Sequence, residues 1–405
     1  MLIVESTLIK AGTRLRISPR KAPKDRASRK DLSVNIAGLP AGERPSPKAS
    51  GLEGVVVAET RLSHVDGERG QLFIAGSRVE DLALSAPGQF ETVVEGLWAL
   101  GAGEPMSCVP ERLAQARASA FARIESLNHA LSLADAMDAL LASTAQGCAG
   151  SDSLGVLGAL PVYVAAGARL RAGLSPIAPE ATRSMAQDFM SMLGLPENPA
   201  RARALDAYWL TVSDHGLNAS TFAARVVAST GSDVMPCVVA GLAALKGPLH
   251  GGAPGPVLDM LDATANSEPR AWLENELSAG RRIMGMGHRI YRVRDPRAFV
   301  FERALARLEA EEQANSAIAQ RVAHARRVEL AASALLNERH PERALCANVE
   351  FYTALLLEAV EIPRALFTAT FAVGRCAGWL AHIEEQRHTG RLIRPAARYV
   401  GPLPD

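Results

Sequence analysis

The residues that could do chemistry in this chain are three histidines, one glutamate and several arginines. Two of the histidines sit among glycines. His250 lies in Lys246-Gly247-Pro248-Leu249-His250-Gly251-Gly252-Ala253-Pro254-Gly255. His288 lies in Ile283-Met284-Gly285-Met286-Gly287-His288-Arg289 and runs on to Tyr291-Arg292-Val293-Arg294-Asp295-Pro296-Arg297. Glycine strips side chains from the backbone, so a ligand can approach closely. A helix is expected to start near Val257, just after His250. The positive end of its dipole would disfavour imidazolium and leave a neutral ring able to donate a hydrogen bond. The plainer alternative is a loop histidine joining two helices. A phosphate-cradling loop fits poorly, because the Lys-Ser/Thr pair it needs is absent. Around His288 the cations Arg292, Arg294 and Arg297 would suit a small polyanion, since guanidinium meets carboxylate or phosphate with two parallel bonds. A basic turn paired with surface acids would look the same.

The third histidine stands in Asp214-His215-Gly216-Leu217-Asn218-Ala219-Ser220, a polar break between two apolar stretches. Asn218 or Ser220 could cap the helix that begins there, which leaves His215 unexplained. Zinc is not the expected reading, because the three histidines are scattered and form no local ligand pair. Glu350, in Asn348-Val349-Glu350-Phe351-Tyr352, falls in the first turn of an apolar helix. It either complements the helix dipole or acts as a carboxylate base made more basic by apolar surroundings. Arg375 sits inside an apolar run, between Val373 and Trp379. A buried arginine needs an anionic partner, either an acid distant in sequence or a ligand carboxylate. Arg391 and Arg394 add further cations near the C-terminus.

The elements that must hold these residues are helices. Apolar residues recur at three- and four-residue spacing over 79–86, 90–100, 110–127, 133–145, 155–172, 179–193, 199–213, 220–229 and 233–245. The pattern continues over 257–265, 269–279, 296–315, 316–337, 348–359 and 364–387. Ser107 and Ser132 are candidate helix starts. Short strand-like runs at 55–57 and 71–74, with the turn signal Asp66-Gly67 between them, predict a small hairpin. The expected fold is mostly α, with a minor β contribution at the start.

Composition narrows the function classes. The 405 residues are 48% hydrophobic and only 5% aromatic, which favours closely packed helices. The formal charge of +1 gives no overall drive toward nucleic acid or membrane. Residues 1–50 hold 11 of the 44 Lys and Arg but 4 of the 43 Asp and Glu, and read as a disordered basic extension. The five scattered cysteines form no CxxC pair and read as reduced, mostly buried thiols of an intracellular protein. The alanine- and arginine-rich body looks bacterial, which points to the cytoplasm. The apolar run 154–168 carries Gly and Pro and reads as a core helix.

Taken together, these stretches resemble the citrate synthase family. The resemblance is carried by Gly-Leu-Glu-Gly-Val (51–55), Asp-His-Gly-Leu-Asn-Ala-Ser (214–220), Gly-Pro-Leu-His-Gly-Gly (247–252) and Gly-Met-Gly-His-Arg through Asp-Pro-Arg (285–297). It continues with Asn-Val-Glu-Phe-Tyr (348–352), Phe-Ala-Val-Gly-Arg (371–375) and Arg-Pro-Ala-Ala-Arg-Tyr-Val-Gly (394–401). The resemblance implies a two-domain helical homodimer, with a large domain from 51–256 and 362–405 and a small one from 257–361. It implies condensation of acetyl-CoA with oxaloacetate, then hydrolysis of the citryl thioester, with no metal and no cofactor beyond the substrates. Propionyl-CoA, giving 2-methylcitrate, is the near alternative; a paralogue that binds without turnover is a more distant one. Glu350 takes the position of the base, His250 that of the enolate donor and His288 that of the group polarising the ketone. His215, Arg297, Arg375 and Arg394 would hold the oxaloacetate carboxylates, Arg394 from the partner subunit. Arg292 and Arg343 would meet CoA phosphates. The family base is most often Asp, and here it is Glu350. Gly216 stands for a usual Glu, and Ala75 and Ser77 for a usual Arg and Tyr.

Overall fold

The computed structural model describes residues 51–402 apart from 53, 85–89, 253, 289, 313–315, 343–344, 398 and 400. The basic extension at 1–50 and Arg343 therefore lie outside the described residues. The chain divides into two compact units, Met1–Val56 and Val57–Asp405. In the first, the Val55 amide donates to the Leu52 carbonyl at 3.1 Å. The second holds all the elements below.

It opens with a three-stranded antiparallel sheet: β1 (Ser63–Asp66), β2 (Gln71–Ile74) and β3 (Ser77–Arg78), in that order. Asp66 pairs with Gln71 across the first turn. The turn expected at Asp66-Gly67 is present, but the strand that enters it is not 55–57. A tight turn pairs the residues that flank it, so the polar run Ser63–Asp66 forms the strand and Val56 is left exposed.

Helices make up the rest. α1 (Val79–Leu84), α2 (Phe90–Ala102), α3 (Val109–Phe121), α4 (Asn128–Leu131) and α5 (Ala136–Gly147) come first. α6 (Ser153–Arg171), α7 (Met185–Leu193), α8 (Pro199–Val212), α9 (Ala219–Ala228) and α10 (Val234–Lys246) follow. The last six are α11 (Pro254–Ala263), α12 (Pro269–Ser278), α13 (Pro296–Glu311), α14 (Ala317–Arg339), α15 (Val349–Ala359) and α16 (Phe367–Thr389). The apolar periodicity located nearly all of them. It misplaced some starts, because those are set by single caps. Ser107 and Ser132 start no helix: Cys108 is the N-cap of α3, Ser132 ends α4, and α5 is capped by Asp135, whose carboxylate accepts from the Met137 and Asp138 amides. α7 begins at Met185 rather than at 179, where Ser184 and Gln187 form a reciprocal capping box.

α16 is the central helix. It packs against α2, α6, α8, α9 and α10, and nearly every side chain from Phe367 to Gln386 is buried. Two buried tryptophans bond to it and a third is part of it, and each indole N–H has a partner. Trp98 donates to the Ala377 carbonyl and Trp209 to the Thr370 carbonyl, both at 2.9 Å. Trp379, on α16 itself, donates to Ser220 Oγ at 3.2 Å. Gly378 lets the chain after α8 touch this helix: its amide donates to the Ser213 carbonyl, and a Cβ there would lie 2.2 Å from that oxygen. That contact fixes where Asp214 and His215 emerge. α6 is long and apolar enough to cross a membrane by composition, but 72% of its apolar window is buried inside the protein. It is a core helix, as expected from its sequence.

Candidate active site

Six of the residues singled out above meet in one cavity of about 620 Å³: His215, His250, His288, Arg297, Glu350 and Arg375. They come from the end of α8, the α10–α11 turn, the loop before α13, the first turn of α13, the first turn of α15 and the middle of α16. Arg292 and Arg394 are exposed and do not line it.

The His288 loop is built by two left-handed glycines, Gly285 (φ 77°) and Gly287 (φ 76°), a conformation that strains residues bearing a Cβ. Its backbone is tied to the segment before α15. The Gly287 amide donates to the Cys346 carbonyl at 2.8 Å, and the Asn348 amide to the Gly285 carbonyl at 2.9 Å. Asn348 also works through its side chain. Its Oδ1 caps α15 by accepting from the Glu350 amide at 2.9 Å, and its Nδ2 donates to the Gly287 carbonyl at 2.8 Å.

The tautomer of His288 follows from its neighbours. Nδ1 accepts from the Ile290 and Tyr291 amides at 2.9 and 3.0 Å. Burial, then the charge of Arg297, lowers its pKa to about 4, so the ring is neutral at pH 7. A neutral imidazole carries one proton, and here it must be on Nε2. The Arg297 Nη2 lies 3.2 Å from that nitrogen, so guanidinium and imidazole stand side by side at the cavity. Arg297 is itself held by both Asp295 oxygens, at 3.1 and 2.8 Å. Asp295 is also the N-cap of α13, accepting from the Arg297 amide at 3.0 Å. Its second job, aiming the guanidinium, was not visible in the sequence.

His250 is also neutral, with a pKa lowered to about 4. The expected cause was the helix dipole; the main causes are burial and the nearby Arg375 charge. Its Nε2 lies 2.8 Å from Ser220 Oγ. That hydroxyl receives the Trp379 N–H and lies 2.7 Å from Asn218 Oδ1. Its single proton goes either to Asn218 or to His250 Nε2. In the second arrangement the ring proton is on Nδ1, free to be donated. Asn218 is the N-cap of α9, accepting from the Ser220 and Thr221 amides. Ser220 was read only as an alternative cap, and its link to His250 spans 30 residues.

His215 is buried, and its pKa lies well below the usual value because of burial and the charges of Arg297 and Arg375. Its Nε2 meets the Tyr291 hydroxyl at 3.0 Å. Glu350 has its pKa raised, chiefly by burial, against the opposing charge of Arg297 and a hydrogen bond with Asn348.

Arg375 is 2% exposed. Its Nε donates to the Val212 carbonyl at 2.6 Å, and its guanidinium lies 4.9 Å from the Phe371 ring centroid. No ion pair reaches it among the described residues. Asp214 favours its charge from a distance, but that carboxylate is engaged by Ser63 Oγ at 2.5 Å and His382 Nε2 at 3.2 Å. Burial lowers the Arg375 pKa to about 10, so it stays charged at pH 7. A buried cation lacking a protein carboxylate and facing a cavity is suited to an anionic ligand.

The family model described as citrate synthase, C-terminal domain, matches residues 51–396. The chain belongs to the citrate synthase family. It is 35% identical over 373 residues to a citrate synthase of Haloferax volcanii, covering 87% of this chain and 95% of that one. It is 34% identical over 386 residues to a 2-methylcitrate synthase of Mycobacterium tuberculosis, covering 89% and 92%. Among solved structures it is similar to the ternary complex of carboxymethyl coenzyme A and oxaloacetate with citrate synthase from Thermoplasma acidophilum, with a TM-score of 0.75, 26% identity, and coverage of 88% and 96%.

Proposed function

We propose that this family member condenses acetyl-CoA with oxaloacetate and hydrolyses the resulting thioester to citrate and CoA. The observation that carries the reading is the convergence of Glu350, His250 and His288 on one cavity that also holds Arg297 and Arg375. Glu350, with its raised basicity, removes a methyl proton from the acyl group. That C–H is a poor acid, so the developing enolate oxygen needs a donor. His250 supplies it from Nδ1 when the Ser220 hydroxyl proton turns from Asn218 Oδ1 to His250 Nε2. The enolate carbon attacks the ketone of oxaloacetate. His288 Nε2–H polarises that carbonyl and holds the alkoxide that forms. Arg297, Arg375 and His215 bind the carboxylates, and Arg394 of a partner subunit completes the set in a homodimer.

A second cavity of about 510 Å³ shares Arg282, Ile283, Met286, Gly287 and His288 with the first. It is the proposed path of the CoA chain, and Arg292 and Arg343 remain the proposed partners of its phosphates. The central cavity is lined both by residues within 257–361 and by residues outside that range. This supports a hinged small domain that closes over the substrates and excludes water until hydrolysis.

Propionyl-CoA is the second reading. The 2-methylcitrate synthase relative is as similar as the citrate synthase one, and one methylene is worth only about 1–3 kcal/mol of discrimination. A thiol-release assay with oxaloacetate and each acyl-CoA in turn, run with a chelator present, tests both. The higher kcat/KM assigns the acyl group. No CoA released with either, from folded protein, refutes the proposal.

A further inference from the structure

Tyr291 does not line the cavity, yet it touches three residues that do. Its hydroxyl lies 3.0 Å from His215 Nε2. Its ring centroid is 4.8 Å from that of His288 and 5.8 Å from that of His215. The Arg297 guanidinium carbon sits 5.8 Å from the same ring. Its backbone amide is one of the two donors that set the His288 tautomer. Tyr291 is only 4% exposed and comes from the loop before α13, whereas His215 follows α8. Among the described residues, this hydroxyl makes the hydrogen bond that joins the side chain of His215 to the His288 loop.

The loop that carries Tyr291 is braced from behind. The β1–β2 turn lies against it: the Arg292 amide donates to the Gly67 carbonyl at 2.9 Å, and a Cβ on Gly67 would come within 2.4 Å of the Ile290 carbonyl oxygen. The same hairpin holds the other side. Ser63 Oγ donates to Asp214 at 2.5 Å and accepts from the Gly216 amide at 2.9 Å, so it brackets His215 in sequence. One small hairpin therefore sets the spacing between the two segments that the Tyr291 hydroxyl joins.

We propose that Tyr291 is a positioning residue for the keto-acid half of the site: it orients His215 through its hydroxyl and backs His288 and Arg297 through its ring. This rests on the functional reading above and adds a residue to it. A neutral imidazole held at Nε2 presents a single orientation to a ligand carboxylate. Without the hydroxyl the buried ring loses one partner and must find its orientation again on each binding event.

The test compares Tyr291→Phe, which removes only the hydroxyl, with Tyr291→Leu, which also removes the ring. For Tyr291→Phe the oxaloacetate Kd, by calorimetry, and its KM rise about three- to tenfold, the scale of one hydrogen bond. The acyl-CoA KM stays unchanged. Tyr291→Leu adds a fall in kcat, because His288 and Arg297 lose their backing. Thermal unfolding of both variants shows whether each is folded. An oxaloacetate Kd for Tyr291→Phe within twofold of the native value overturns the assignment, and so does an equal rise in both KM values. Failure of the functional reading looks different: the native protein then releases no CoA, while calorimetry with oxaloacetate still reports on Tyr291. A native protein that binds no oxaloacetate overturns both.

Discussion

The Asn348 side chain joins the two halves of the proposed chemistry: its Nδ2 holds the Gly287 carbonyl at 2.8 Å, while its Oδ1 caps the helix that presents Glu350. The proposed base, Glu350, and the histidine proposed to polarise the carbonyl, His288, are thereby tied together by one amide. Asn348→Asp keeps the cap acceptor and loses the donor; Asn348→Ala loses both. Losing the cap costs about 0.5–2 kcal/mol, so Asn348→Ala should unfold at a lower temperature than Asn348→Asp. Both should lose kcat, read by CoA release. A native kcat in Asn348→Ala would show that the tether is dispensable.

Glu350→Gln should lower kcat by about 10²–10⁴-fold, the usual worth of a positioned base, and leave oxaloacetate binding intact by calorimetry. Retained turnover would remove Glu350 from the role of base. Glu350→Asp shortens the reach by about 1 Å, and a misplacement on that scale can cost about 10²-fold.

Arg375→Met removes the buried cation and keeps much of its volume. Replacing a buried charge by an apolar group is often neutral or stabilising, so the melting temperature should hold or rise in ligand-free protein. Oxaloacetate binding should fall at least tenfold, about 1.4 kcal/mol. A variant that is destabilised yet binds normally would make Arg375 structural.

Acid should weaken the fold through the site histidines. His250 and His288 have folded pKa values lowered to about 4, from an ordinary 6.5. Between those values the unfolded chain binds more protons than the folded one, so stability falls as pH drops from 6.5 toward 4. Above 6.5 both states are neutral and these groups contribute no slope. His250→Gln should flatten part of the decline in melting temperature across that window. The same values predict that kcat shows no inflection near 6.5 from either ring.

Helix content and the chemical residues were legible because each has a local signature. Apolar spacing marks the helices, and glycine-flanked histidines stand out in an alanine-rich chain. Even the neutrality of His250 was anticipated, although its main causes are burial and Arg375. Arg375 was recognised as a buried cation in want of an anion. Whether a distant acid already met it could only be answered by the fold, which leaves Asp214 engaged with Ser63 and His382.

Some determinants had no local signal. Ser220 reads as a capping residue until α10 and α11 bring His250 against it. Asp295 is only two residues from Arg297, yet nothing in the sequence says that the guanidinium folds back onto it. Tyr291 reads as one aromatic in a basic loop until the hairpin turn pushes that loop toward His215. Residue type and short-range spacing determined which groups could act. Tertiary structure decided which of them are neutral, which are paired and which face one another, because burial and partners such as Tyr291 at His215 and Ser220 at His250 come from residues 30 or more positions away.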